Sequence, residues 1–162
     1  MPVASQIAHA AGGFRFNANL LDKSLEGISS DEWCTCPGEG SNPLTWVAGH
    51  IVWARSRALS FLGITWSRPW LPLFTRGAKA GDTAEYPSPD EVVLAWQEVK
   101  TALDAALEDA SPETLSAPCP PGPPSFDGTV GGLLSFFALH ESYHVGQAAY
   151  LRRWLGHGQI AG

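Results

Sequence analysis

The chain has 162 residues, enough for one domain that buries a core without disulfide or metal staples. Hydrophobic residues make up 44% and charged residues 16%, with seven Trp and seven Phe, which excludes a disordered chain. The formal net charge of −6, with no run of Lys or Arg, speaks against nucleic acid or an anionic membrane as partner.

No apolar stretch reaches the roughly 18 residues of a membrane span, and no basic-then-apolar leader pattern opens the chain. The expectation is a soluble, cytoplasmic protein. Cys34, Cys36 and Cys119 fit it, because an odd number of thiols makes a poor disulfide framework. The C-x-C pair is also too tight for a zinc knuckle, so these read as loop cysteines.

Four segments carry helical periodicity. The first, about Gly13 to Ile28, places Phe14, Ala18, Leu21, Leu25 and Ile28 on one stripe; Gly12-Gly13 makes an earlier start costly. The second has Asn42 as N-cap and Pro43 at the first helical position, and it stops at Gly63. The third opens on Ser88-Pro89-Asp90-Glu91, a capping box with proline at N1, and ends near Ala110. The fourth runs from Val130 to Leu155 and is closed by Gly156. Its inward face reads Leu133, Phe137, His140, His144, Gln147 and Leu151.

No segment shows period-2 alternation. The sequence therefore predicts an all-α four-helix bundle forming one domain over residues 1–162. Roughly fourteen residues join the first two helices and roughly twenty-four the second and third, and the passage into the fourth is similarly long, lengths that permit crossover connections. Trp66, Pro69, Trp70 and Pro72 in the second link are candidate lid residues.

The stretch "LHESYHVGQ" contains His140-Glu141-Ser142-Tyr143-His144, the spacing H-E-x-x-H. Histidines four apart lie on one helix face, about 6 Å apart along the axis. Two imidazoles on a buried stripe have several ring nitrogens to satisfy, and a shared metal ion resolves this. The extended protease form fails, because Gln147 and Tyr150 stand where Gly and His are required, and no acidic residue follows Glu141. A zinc hydrolase is thus the weaker reading. His50, on the stripe of Trp46, Val47, Trp53 and Ala54, is the better third ligand, since bundle cores collect metal ligands from facing helices. His9 and His157 read as solvated terminal residues.

The texts "NPLTWVAGHIVWARSRALSFLG" and "HESYHVGQAAYLRRWLG", with "FRFNANLLDKSL" before them, resemble the DinB/YfiT-like superfamily. The resemblance implies a four-helix bundle of unusual connectivity with a mononuclear three-histidine metal site, its ligand positions falling on His50, His140 and His144. Val145 departs from the Arg often found before the Gly-Gln of that frame, which puts an anion contact there in doubt. The resemblance also implies metal-dependent transfer or isomerisation using a low-molecular-weight thiol such as bacillithiol, mycothiol or glutathione, and homodimers are frequent among relatives.

Three neutral histidines suit zinc, nickel, iron or manganese, with zinc or nickel favoured, and leave a position open for water, thiol or a small-molecule substrate. Glu141 is a candidate general base, a group that orients a ligand ring, or a solvent-facing residue. Tyr143 and Gln147 are candidates for hydrogen bonds to ligand or substrate, or for core packing. Trp46 and Trp53, one turn either side of His50, are candidate pocket walls. Two alternatives stand beside the enzyme reading: a non-catalytic, metal-binding helical bundle acting as a stress-linked dimeric module, and a metal-free bundle with core histidines.

Overall fold

The computed structural model describes residues 3–78 and 83–161, so a few residues of the second long link lie outside the described ones. The helices are α1 (Ala8–Leu25), α2 (Ser30–Trp33), α3 (Leu44–Phe61), α4 (Pro89–Asp109), α5 (Pro112–Ser116) and α6 (Val130–Trp154). Among the described residues there is no strand, only an isolated bridge between Pro118 and Thr129.

Polar caps set the N-terminal ends of two of the long helices. The Ser88 hydroxyl accepts from Glu91 N–H while the Glu91 carboxylate accepts from Ser88 N–H, closing the capping box that starts α4. At α6 the Thr129 hydroxyl accepts from Gly132 N–H and Asp127 Oδ1 accepts from Thr129 N–H. Gly132 is required there, because a Cβ would collide with the Asp127 carboxylate. The helix α3 begins one residue later than the sequence predicts, leaving Pro43 just outside.

The expected start of the first helix needs correction. α1 begins at Ala8 and runs through Gly12 and Gly13, because packing outweighs the poor propensity of glycine. Ile7, Ala10 and Ala11 are buried, and Gly13 lies against α6, where a Cβ would meet Ala138 at 3.6 Å.

The long helices close a ring in which α1 packs on α4 and α6, and α3 packs on the same two. α1 and α3 are therefore diagonal, as are α4 and α6, so two of the three long connections cross the bundle. No described helix is long and apolar enough to cross a membrane.

Specific polar ties fix the register. Asn17 on α1 donates to the Ala138 carbonyl (3.0 Å) and accepts from Ser142 (3.1 Å) on α6. Asp22 accepts from Trp96 Nε1 (2.7 Å) and pairs with Lys100 (2.8 Å) on α4. At the centre, Arg55 of α3 pairs with Glu141 of α6 through two bonds of 2.7 and 2.8 Å. Both residues are almost wholly buried. The same guanidinium donates to the Phe14 carbonyl of α1 at 2.9 Å and lies 4.5 Å over the Trp96 ring of α4.

Breaking one side of a buried ion pair leaves an unpaired charge in the core, whereas replacing both sides is far milder. Arg55→Met and Glu141→Leu are each expected to lose about 3–5 kcal/mol of stability. The double variant should recover most of that loss, as measured by chemical denaturation around the double-mutant cycle.

Candidate metal centre

Two helices and one loop build the site. α6 presents His140 and His144 four residues apart, and α3 presents His50 from the facing side. Their candidate ligand nitrogens lie within 4.8 Å of one another. His140 Nε2 stands 3.1 Å from His144 Nε2 and 3.4 Å from His50 Nε2. Two nitrogens bound tetrahedrally to one zinc ion at 2.0–2.1 Å are about 3.3 Å apart, so the observed spacing suits a shared ion.

The outer nitrogens settle which atoms face inward. His50 Nδ1 donates to the Phe74 carbonyl at 2.7 Å, and a carbonyl only accepts, so the His50 proton is on Nδ1 and its Nε2 carries a lone pair. His144 Nδ1 donates to Gln147 Oε1 at 2.8 Å, with the same consequence. His140 Nδ1 is buried without a partner among the described residues. If His140 carries its proton on Nε2, it can serve only one of its two neighbours; if on Nδ1, a buried N–H is orphaned and three lone pairs converge. With the His140 proton on Nδ1, a cation among the three Nε2 atoms takes up all three converging lone pairs, whereas a proton on Nε2 would have to leave first. The donor set fits a divalent metal.

Electrostatics keep the donors neutral, as metal binding requires. Burial, then the neighbouring His144 and His140, pushes His50 from its usual 6.5 down to about 4, against an opposing pull from the Phe74 carbonyl. Burial, then His144 and the Arg76 guanidinium, pushes His140 down to about 4. Burial also lowers His144, opposed by Gln147.

The loop contribution depends on Gly49. A Cβ there would stand 2.6 Å from the Phe74 ring, so the bare glycine lets the Leu71–Phe74 turn lie flush on α3 and brings the Phe74 carbonyl to His50. Trp70 packs edge-on against Phe74. The link that holds the expected lid residues thus lies along the side of α3, where it contributes a backbone acceptor to a candidate ligand.

Trp46 stacks on His50 at 4.8 Å and 7° and Trp53 at 5.2 Å and 25°, so both wall the imidazole. Gln147 is the His144 partner. Tyr143 is 65% exposed and sets its ring edge against His144 at 5.0 Å; its place is the rim, not the core. Glu141, in contrast, has both oxygens on Arg55, and it is neither solvent-facing nor bonded to a histidine ring. Val145 is buried, and an apolar side chain there offers no anion contact.

His9 is exposed, as expected. His157 is not simply solvated, since its Nε2 contacts Glu32 at 3.0 Å. The three cysteines are free thiols and none belongs to the cluster. The sequence reading missed Arg55, Gly49 and the Phe74 carbonyl. Only Arg55 left a trace, as a charge in a largely apolar helix whose one other charge is Arg57.

A family model for the DinB superfamily matches residues 14–148, a span that takes in all three histidines. No curated protein matches the chain.

Two predictions follow the geometry. Removing the His144 partner in Gln147→Leu is expected to lower metal affinity about 10- to 100-fold, read by competition with a chromophoric chelator. In metal-free protein, the unfolded chain takes up protons on these histidines before the folded chain does, because each folded-state pKa is depressed. Their contribution to stability is full above about pH 6.5 and drains as pH falls towards 4. Denaturation midpoints across that window should fall, and fall less steeply in His50→Leu.

Proposed function

The chain belongs to the DinB superfamily, and from that premise we propose that it is a metal-dependent enzyme that transfers or isomerises groups by way of a low-molecular-weight thiol. The convergence of three neutral imidazole nitrogens, two of them with their outer N–H already committed, carries this reading. A divalent ion held there supplies Lewis acidity, lowering bound water to a pKa of about 7 and holding a thiol as thiolate. Zinc and nickel are the first candidates, and iron and manganese suit the same donors.

The chain's own residues do the positioning. Phe74 and Gln147 hold the rings of His50 and His144 in one tautomer. Trp46 and Trp53 sandwich His50 and limit water around it. Tyr143 and Gln147 border a groove of about 460 Å³ with Asn42 and Val47, whose hydroxyl and amide groups suit the polar body of a thiol cosubstrate. Glu141 is assigned to the fold: both of its oxygens accept from the buried Arg55 and neither touches a histidine ring, which speaks against the hydrolase alternative. The proposal places the protein in the cytoplasm as a homodimer acting on a small molecule.

Metal analysis of protein purified without an affinity tag tests the centre. About one equivalent is expected in the wild type and in a variant with Cys34, Cys36 and Cys119 all changed to Ser, with loss in His50→Ala and in His144→Ala. Retention in His50→Ala would move the third ligand elsewhere, and no metal after reconstitution would leave a metal-free bundle.

A further inference from the structure

A cavity of about 400 Å³ reaches the histidine cluster through His140 and carries two cations in an aromatic wall. Trp53, Phe61 and Phe136 form much of that wall, and the 122–124 segment closes another side. His140 stacks on Phe136 with ring centres 6.0 Å apart and planes 25° apart, and Trp53 is one of the two residues that stack on His50, so the cavity shares two residues with the surroundings of the metal centre.

Its charges are unusual for this molecule. Arg15, Arg55 and Arg68 each hold a carboxylate, and Arg152 donates to backbone carbonyls. Among the described residues, Arg57, Arg76 and Arg153 have no carboxylate within ion-pair distance. Two of these three converge on a cavity that reaches a candidate metal ligand, in a chain whose net charge is −6. Arg57 lies 5.4 Å over the Phe61 ring, which directs it along the cavity wall. Arg76 and His140 line the same cavity.

We propose that this cavity is the subsite for the electrophilic substrate, and that the substrate is a small aromatic carboxylic acid whose ring packs against Trp53, Phe61 and Phe136 while its carboxylate answers Arg57 and Arg76. The inference rests on the metal-dependent reading for its purpose, but not for the binding itself. Guanidinium groups bind carboxylates with directed, charge-assisted bonds. The aromatic wall favours a flat apolar body over the polar body of a thiol cosubstrate.

Calorimetric titration with 3-phenylpropionate and its neutral amide, 3-phenylpropanamide, tests the subsite in metal-loaded and metal-free protein. Running both forms keeps carboxylate ligation of the ion from imitating it. The acid is expected to bind more tightly than the amide in both. Arg57→Gln and Arg76→Gln should each weaken the acid about tenfold and leave the amide unchanged. Arg153→Gln, which removes an exposed charge elsewhere, should change neither. Both cavity arginines are exposed, so the variants are expected to keep the fold.

Equal binding of acid and amide, or a preference for acid that survives both substitutions, would overturn the subsite. Glutathione binding with the same arginine dependence while phenylpropionate fails would overturn the aromatic acid and give the carboxylate to the thiol. Metal content measured on the same samples separates the two claims. Bound metal without discrimination sinks the subsite alone, and discrimination without bound metal supports the subsite and sinks the metal centre.

Discussion

The arrangement of this bundle depends on the buried pair between Arg55 and Glu141. One guanidinium reaches all four long helices: its own α3, the Glu141 carboxylate of α6, the Phe14 carbonyl of α1 and the Trp96 ring of α4. Such a group tolerates little sliding, because any shift leaves a charge or a donor unpaired in the core. Glu141 adjoins His140, and Arg55 lies little more than one turn beyond His50. The contact that sets the register of α3 against α6 therefore also sets His50 opposite the α6 pair.

Above that pair the interior changes character. The core around it is largely apolar, whereas the histidine cluster keeps three basic nitrogens facing one another and, among the described residues, one outer ring nitrogen without a partner. A core selected for stability alone would not retain this arrangement. Its supports are built in the opposite spirit. Gly49 gives up a side chain so that a loop carbonyl can approach, Gln147 is placed one turn from His144, and two tryptophans cover His50. The three inner nitrogens are the part of this polarity that a cation would satisfy.

Much of this was legible in the sequence because it is local. The i, i+4 spacing of His140 and His144, the apolar stripe that carries His50, and the capping box at Ser88 each follow from helical periodicity over a few residues. Long connections foretold crossovers, and the diagonal placement of α1 from α3 and of α4 from α6 bears that out. The parts that escaped are long-range. Arg55 and Glu141 are 86 positions apart, and nothing in either helix alone says that this charge is the buried one. The His50 partner is a main-chain carbonyl, which no residue type announces. The early start of α1 escaped for a related reason, since packing against α6 decided it over the propensity of Gly12 and Gly13.

The central claim is that His50, His140 and His144 together hold one divalent ion with a position left open. X-ray absorption at the metal edge of zinc-loaded protein, before and after adding a small thiol, addresses it directly. The account predicts three imidazole nitrogens at about 2.0–2.1 Å with a light fourth ligand, and a sulfur at about 2.3 Å once thiol is added. Fewer than three imidazoles, or sulfur from the protein itself before any thiol is present, would contradict it.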